Sequence, residues 1–267
     1  MSSFSRFAAI AVAASLLSLL SAGPSRAQDA IPGVPRELLE DIATGSRILA
    51  DLGVVDAFGH VSARHPTNPH HFLMARSIAP AQVTANDIME FDENGEPVDA
   101  RNRAVFLERF IHAEIYKARP DVSAVVHTHS PGVVPFSVSH TPLKPLYHNA
   151  AFLGTGAPVW DIGKEFGATN MLVSNNVIGK SLAATLGDKS VVLMRGHGDV
   201  AVGPSVKAAV FRAYYTDVYA KLQAQAIGLG RDVTYLSAEE AAKADAVNMV
   251  IMDRAWALWK QRAQSAK

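Results

Sequence analysis

Two histidines one residue apart form the pattern in this sequence that most directly suggests chemistry. They end the stretch Ser123-Ala-Val-Val-His-Thr-His-Ser130, in which the apolar run 124–126 predicts a buried strand. Because side chains alternate between the two faces of a strand, His127 and His129 point to the same side, with their Cα atoms about 6–7 Å apart. Two imidazoles placed this way can bind one cation, but buried histidines that only pack are also common. For this pair alone, metal binding and incidental packing both remain open.

A third histidine is predicted to lie at the tip of a hairpin. The apolar run Val191–Met194 predicts another buried strand, which leads into Arg195-Gly-His-Gly-Asp199 with His197 between two glycines. If the two buried strands are neighbours, three neutral imidazoles face one point and leave a coordination position open. This arrangement is typical of catalytic metal sites, in which the cation acts as a Lewis acid toward a carbonyl or enolate oxygen.

Glu108 is the acidic residue that could work beside such a cation. Apolar residues at helical spacing predict a helix over 104–118, and Glu108 lies at the edge of the apolar stripe, one turn before His112. Partial burial is expected to raise the pKa of its carboxyl group, which would suit a general acid or base.

The remaining elements predict an α/β fold, because helices and strands alternate along the chain. Further helices are predicted over 35–52, over 205–226 as the longest helix, and from Ala238 onward, where Ser237-Ala-Glu-Glu240 forms a capping box. Further strands are predicted over 58–65, 71–75 and 88–91, and residues 170–186 are interpreted as a strand end followed by a helix.

Composition and the first residues limit the function classes. The 25 basic and 25 acidic residues give zero formal charge, which argues against a nucleic-acid partner, and the absence of cysteine excludes thiolate ligands and thiol nucleophiles. Residues 1–27 are interpreted as a cleavable signal peptide, with Arg6, an apolar run and small residues at Ser25 and Ala27. The alternative, a membrane anchor, is disfavoured because the apolar run is shorter than the roughly 20 residues that span a bilayer. We therefore expect cleavage near Ala27, export to the periplasm, no membrane contact after cleavage, and one domain over 28–267.

These residues resemble the class II aldolase/adducin superfamily over most of the chain after residue 27. The resemblance rests on four segments: Gly59-His-Val-Ser62, Glu108 with His112 and Tyr116, Arg119-Pro-Asp-Val-Ser-Ala-Val-Val-His-Thr-His129, and Arg195-Gly-His-Gly198. It implies a three-layer α/β/α fold with a central, mainly antiparallel sheet, assembled as a homotetramer with active sites between subunits.

The resemblance also implies a metal site and an acid/base. By it, His127, His129 and His197 match the metal ligands, and Glu108 matches the acid/base carboxylate. One divalent transition metal per chain is expected, namely zinc, with manganese or cobalt as alternatives, because imidazole ligands accept all of them.

The sequence departs from the sugar-phosphate aldolases of this family where they bind phosphate. Those enzymes carry two serines directly before the glutamate, whereas this chain has Phe106 and Leu107, which offer no side-chain hydrogen-bond donors. The segments Phe72–Pro80 and Asp87–Asp92, together with Tyr147-His148, resemble instead the decarboxylase-like branch. Members of that branch act on acids such as dihydroxyphthalate or hydroxymuconate-semialdehyde carboxylates.

The sequence therefore predicts a divalent-metal-dependent carbon–carbon lyase, a decarboxylase of a small non-phosphorylated oxo, hydroxy or aromatic carboxylic acid acting through a metal-stabilised enolate. The alternatives are a class II retro-aldolase, a non-catalytic adducin-like interaction module, and an exported metal-binding protein without catalysis.

Five residues are candidates for contact with the substrate: His60, Arg76, Ser77, Tyr147 and His148. Arg76 could instead form a surface salt bridge, and His60 could instead make a structural hydrogen bond within its strand. His112 is interpreted as a packed helix residue, because three histidines already complete the predicted ligand set.

Overall fold

The computed structural model describes residues 31–230 and 232–265. The predicted signal peptide, residues 1–27, lies outside these ranges. Among the described residues, no helix combines the length and the apolar character that crossing a bilayer requires.

Within the described residues, seven strands form a single sheet in the middle of the fold. They are β1 (His60–Arg64), β2 (His71–Ala75), β3 (Ile88–Asp92), β4 (Ala124–Thr128), β5 (Val159–Trp160), β6 (Val191–Met194) and β7 (Gly198–Gly203). From edge to edge the order is β3-β2-β1-β4-β7-β6-β5, and only the β5–β6 pair is parallel. The expectation of a mainly antiparallel sheet is confirmed.

Helices cover both faces of this sheet. They are α1 (Arg36–Asp51), α2 (Arg109–Ala118), α3 (Val134–Val138), α4 (Ile162–Phe166), α5 (Asn176–Leu186), α6 (Val206–Leu229) and α7 (Ala238–Ser265). One apolar cluster joins α1, α6 and α7 to one face, and a second joins α2 and α5 to the other. The three-layer α/β/α arrangement is therefore confirmed, with a separate core on each side of the sheet.

The pairing of β1 with β4 sets which residues face which layer. His60 lies opposite His127, and Ser62 lies opposite Val125. Because successive strand residues alternate faces, His60, Ser62 and His127 share the face that α2 covers, while Val61 packs in the cluster on the opposite face.

Three predicted boundaries are wrong. The helix predicted over 104–118 begins at Arg109, because the carbonyl of Ala104 accepts the Ser77 N–H instead of a helical N–H. Helix α7 has 28 residues against 24 in α6, so the segment from Ser205 is not the longest helix. Residues 170–175, all of which the structure describes, contain no strand. Instead, α5 begins at a cap in which the Asn175 side chain accepts the Ile178 N–H.

Candidate active site

Four side chains converge at one end of β4. His127 is the fourth residue of that strand, His129 follows the strand directly, and His197 lies in the turn between β6 and β7. Glu108 occupies the position just before the first residue of α2. The possible ligand atoms of these four residues all lie within 4.8 Å of one another.

The two glycines around His197 explain how the hairpin reaches β4. Gly196 has φ +63°, the left-handed conformation that glycine adopts without strain. At Gly198, a Cβ atom would stand 2.0 Å from the carbonyl oxygen of Thr128, so a larger residue would push the hairpin away. The Gly-His-Gly pattern therefore places the His197 ring next to the ring of His129.

Backbone carbonyls orient two of the three imidazoles. The Nδ1 of His127 lies 3.1 Å from the carbonyl oxygen of Asp199, and the Nδ1 of His197 lies 3.1 Å from that of Met171. A carbonyl can only accept, so each Nδ1 carries the proton and donates it. Each Nε2 is then left with a free lone pair, which is how metal-ligating histidines are commonly fixed.

The distances among these nitrogens fit a shared cation. The Nε2 of His129 lies 3.1 Å from that of His127 and 3.0 Å from that of His197. Tetrahedral zinc with bonds of about 2.0–2.1 Å separates its ligand atoms by about 3.3 Å. Unprotonated imidazole nitrogens repel one another at this distance, and a cation between them removes the repulsion. The donor set therefore fits a divalent transition metal.

Glu108 is held in place by a backbone donor. Its Oε1 accepts the Val173 N–H at 3.0 Å, while its Oε2 lies 3.4 Å from the Nε2 atoms of His127 and His197 and 3.8 Å from that of His129. This carboxylate is buried beside the imidazole cluster.

The prediction that the pKa of Glu108 is raised is wrong, because the surrounding side chains of the protein lower it. Burial does raise it, but the three surrounding imidazoles donate to it when they are protonated on both nitrogens, and this attraction outweighs burial and lowers the pKa of this carboxyl below its ordinary value. The same carboxylate raises the pKa of His197, against the opposing effect of burial. Sequence reasoning counted the desolvation of Glu108 but not the three imidazoles that face it.

A cavity of about 350 Å³ opens beside this cluster. Its lining is mostly apolar and comprises Phe58, Gly59, His60, Ser77, Val105, Phe106, Leu107, Glu108, His129 and Leu172. The side chains of Phe106 and Leu107 stand where phosphate donors would be needed, so the cavity suits an apolar or aromatic molecule with few polar groups.

The structure brings two of the five candidate substrate contacts, His60 and Ser77, into this cavity. Arg76 is adjacent in sequence but not in the lining, because its Nε donates to the Asp87 carboxylate at 2.7 Å. Tyr147 and His148 lie elsewhere in the chain, where the Tyr147 ring packs 6.2 Å from that of Tyr215 on α6. For Arg76, Tyr147 and His148, contact with a substrate stays a prediction.

Sequence reasoning missed residues that act through their backbones. Met171 supplies the carbonyl that orients His197, and Val173 supplies the N–H that holds Glu108. Both lie in the segment before α5, and Met171 has φ +70°, which is unusual for a residue with a side chain. Neither contact depends on side-chain chemistry, so no residue type in the sequence could have indicated it.

A buried polar chain starts at His60 and was also missed. His60 Nδ1 lies 2.6 Å from His112 Nε2, His112 Nδ1 lies 2.6 Å from Ser62 Oγ, and Ser62 Oγ lies 2.7 Å from the Tyr116 hydroxyl. His112 is fully buried, as expected for a packed helix residue, but both of its ring nitrogens are hydrogen-bonded.

The fold and the site together describe one class of protein: a three-layer α/β/α domain with a cluster of three histidines and a glutamate at one end of its central strand. Residues 40–224 match the family described as Class II Aldolase and Adducin N-terminal domain, which is more than half of the chain. The chain therefore belongs to the class II aldolase/adducin superfamily, and its relatives place it in the decarboxylase-like branch.

Three relatives illustrate this placement. Decarboxylase tropJ of Talaromyces stipitatus is 34% identical, over 83% of this chain and 92% of that protein. The 3,4-dihydroxyphthalate decarboxylase of Arthrobacter keyseri is 32% identical, over 72% of this chain and 79% of that protein. The crystal structure of an aldolase II superfamily protein from Pseudomonas syringae matches with a TM-score of 0.73 and 25% identity, covering 89% and 95% of the two chains. Family and relatives together support a lyase.

Proposed function

We propose that this protein is a divalent-metal-dependent decarboxylase that acts on a small, non-phosphorylated carboxylic acid carrying a hydroxyl or oxo group, preferably on an aromatic ring. The observation that carries the proposal is the cluster of Glu108, His127, His129 and His197 beside a mostly apolar cavity.

Three histidines would hold the metal through their Nε2 atoms. When bound, the cation supplies Lewis-acid stabilisation for the substrate oxygen on which negative charge develops, an effect worth several kcal/mol. Zinc is the metal we expect, with manganese or cobalt as alternatives, because an imidazole set does not separate them.

Glu108 is placed to move a proton at that substrate oxygen. Its Oε2 faces the imidazole nitrogens, while the Val173 N–H keeps Oε1 occupied and so fixes the carboxylate plane. A carboxylate held this way can accept the hydroxyl proton of a substrate and return it later.

The cavity walls favour a ring over a sugar phosphate. Phe106 packs 4.7 Å from the His60 ring, and Leu107 is 61% exposed, so an aromatic substrate would cover apolar surface here. Ser77 offers a hydroxyl to a substrate carboxylate, and Arg76 would approach it by leaving its contact with Asp87. The name of the Arthrobacter relative, with two hydroxyls and two carboxylates on one ring, supports an acid of this class.

Two further parts of the proposal concern the environment of the protein. We propose that it is exported to the periplasm after cleavage near Ala27, and that it assembles as a homotetramer. Mass spectrometry of the protein from its native host tests the first, because an intact Met1 would contradict it. Sedimentation equilibrium tests the second.

A substrate screen tests the reaction itself. The metal-reconstituted protein is incubated with aromatic hydroxy acids and muconate-type oxo acids, each labelled with ¹³C in the carboxyl group, and with a sugar phosphate for comparison. The proposal expects ¹³CO₂ from at least one aromatic or muconate acid. Release of an aldehyde instead of CO₂ would favour aldol cleavage. If no compound in the panel reacted, a non-catalytic, adducin-like role would be favoured.

A further inference from the structure

Three consecutive residues before α5 join separate parts of the candidate active site. The carbonyl of Met171 accepts the Nδ1 proton of His197 at 3.1 Å. The N–H of Val173 donates to Oε1 of Glu108 at 3.0 Å. Between them, Leu172 lines the cavity beside the histidine–glutamate cluster. A change in the backbone here would therefore act on a metal ligand, on the candidate acid/base and on the cavity wall together.

The backbone of this segment has a conformation that its own residue types do not favour. Met171 has φ +70°, in the left-handed region, where the Cβ atom of a side chain crowds the neighbouring backbone. Glycine adopts such a φ without strain, but position 171 carries a methionine. Groups around Met171 must therefore hold the conformation in place.

Two side chains directly before Met171 supply hydrogen bonds of this kind. The Thr169 hydroxyl accepts the Met171 N–H at 3.0 Å. The side-chain oxygen of Asn170 accepts the Leu172 N–H at 3.1 Å. Each bond joins a side chain to the amide two residues later, which is how threonine and asparagine stabilise tight turns. The two turns overlap, so the peptide units on both sides of the Met171 Cα atom are held.

The planar peptide bond connects the Asn170 contact with His197. The carbonyl of Met171 and the N–H of Leu172 belong to the same peptide unit and point in opposite directions. Because Asn170 holds the N–H on one side, the carbonyl points to the other side, where it accepts the His197 proton. Asn170 thus acts on the imidazole through the peptide unit between them.

The side chain of Met171 is anchored separately. It packs at the edge of the apolar cluster that α2 and α5 form with the sheet, and its Sδ atom lies 3.8 Å from Nη2 of Arg195. Arg195 lies two residues before His197 and is itself paired with the Asp161 carboxylate. These contacts keep Met171 beside the hairpin that carries His197.

We propose that Thr169 and Asn170 are positioning residues of the active site. Their side chains hold the backbone of residues 171–173 so that His197 presents its Nε2 to a cation and Glu108 keeps its carboxylate in place. That the positioned site is catalytic rests on the proposed function, whereas the positioning itself is a property of the folded chain.

Four variants separate these two side-chain contacts from general stability. Thr169→Val removes the hydroxyl and keeps the shape of the side chain, whereas Thr169→Ser keeps the hydroxyl. Asn170→Ala removes the second acceptor at an exposed position and serves as an independent variant should Thr169→Val fold poorly. Thr185→Val is the matched control, because the Thr185 hydroxyl donates at 3.2 Å to the Ser181 carbonyl within α5.

Hydrogen exchange in the metal-free protein, resolved to single amides, requires neither a metal nor turnover. Thr169→Val and Asn170→Ala should cause the Val173 amide to lose protection, because its position is no longer fixed. The Val202 amide, which donates to the Ser190 carbonyl in the sheet, reports general stability and should keep its protection.

Metal binding provides the second measurement. Zinc should bind about ten-fold more weakly to Thr169→Val and Asn170→Ala, the lower end of the range for losing a group that orients a ligand. The visible spectrum of the cobalt-loaded protein should change in the same two variants, because the His197 ring is no longer held in one orientation. Thr169→Ser and Thr185→Val should match the wild type in both measurements.

Unchanged Val173 exchange, or unchanged zinc affinity and cobalt spectrum, in Thr169→Val and Asn170→Ala would overturn the inference. Equal losses of protection at Val173 and Val202 would also overturn it, because the two side chains would then act only on general stability. None of these measurements uses CO₂ release. A substrate screen without any reaction would therefore contradict the proposed function and leave the positioning of His197 and Glu108 to be decided by exchange and metal binding.

Discussion

Strands β1 and β4 present two different faces to the two helical layers. Toward α1 and α6, they present Val61 and Val126, which are almost completely buried in an apolar cluster. Toward α2, the next residues along the same strands, Ser62 and His127, belong to hydrogen-bonded polar groups. One pair of strands therefore supplies a conventional core on one side and the candidate chemistry on the other.

The difference shows how a buried polar site is maintained. Burial of a valine side chain contributes roughly 1.5–3 kcal/mol of stability, whereas a buried polar group costs stability unless it is hydrogen-bonded. The apolar face offsets the cost of a polar face in which His112 and His127 are fully buried. Changes on the two faces should thus separate stability from chemistry.

The largest effect is expected from removing a metal ligand. His197→Ala leaves both cores untouched but deletes one of the three imidazoles, so metal retention should be lost and turnover should fall by at least about 10³-fold, given a metal contribution of several kcal/mol. Elemental analysis and CO₂ release on the same preparation check this. His140→Ala, which changes an exposed histidine, should retain one metal per chain. Full metal occupancy in His197→Ala would remove His197 from the ligand set.

Glu108→Gln should affect chemistry and spare the metal. Glutamine preserves the acceptor for the Val173 N–H but cannot carry the proton, so turnover should fall about 10²–10⁴-fold with metal content nearly unchanged. Glu114→Gln, at a buried glutamate on the same helix, is the matched control and should retain turnover. If Glu108→Gln kept full turnover but lost its metal, Glu108 would be a ligand and not the acid/base.

Acid should lower the free energy of unfolding chiefly through the buried histidines on the polar face of β1 and β4. Burial lowers the pKa of His112 from 6.5 to about 3, so its contribution to stability is fully present above pH 6.5 and is lost as the pH falls toward 3. With chelator present, the free energy of unfolding of wild type should therefore drop more steeply over this range than that of His112→Gln, by a few kcal/mol. Urea unfolding at several pH values measures this, and His140→Gln should follow the wild type. Parallel curves for wild type and His112→Gln would show that His112 is not held neutral.

The smallest effect on chemistry is expected from the apolar face. Val61→Ala removes two methyl groups from a nearly inaccessible position between His60 and Ser62, and should lower the free energy of unfolding by about 1–3 kcal/mol. Turnover per folded molecule and metal content should stay as in the wild type. A loss of turnover comparable to that of Glu108→Gln would mean that the two faces are not energetically separate.

The sequence was informative wherever side-chain type and local spacing carry the signal. The His-x-His strand end, the Gly-His-Gly hairpin and the α/β class could be predicted, because strand alternation and the steric freedom of glycine are local properties. The site was less predictable where distant backbone atoms complete it. Val173 and Met171 contribute through N–H and carbonyl groups that every residue type carries. The chain from His60 to Tyr116 depends on the register of β1 against α2, which local periodicity does not specify.

The helix that follows Glu108 shows the same limit. Apolar spacing extended it back to residue 104, but a backbone hydrogen bond from Ser77 to Ala104 replaces the first helical turn. Glu108 is thereby placed at the helix start, where its carboxylate reaches the imidazoles, and the three imidazoles in their protonated form reverse the direction of the expected pKa shift. The hydrogen bond from Ser77 to Ala104, between residues far apart in the chain, thus goes with both the later start of the helix and the lowered pKa of Glu108.

Removing the metal and restoring it shows whether decarboxylation depends on a bound ion. The protein is stripped with a chelator and titrated with zinc, manganese or cobalt while ¹³CO₂ release is followed from the acid that the screen identifies. We expect release to disappear on stripping and to return in proportion to added metal, reaching its plateau at one ion per chain. Undiminished CO₂ release by the fully stripped protein would contradict a metal-dependent decarboxylase at the site of His127, His129 and His197.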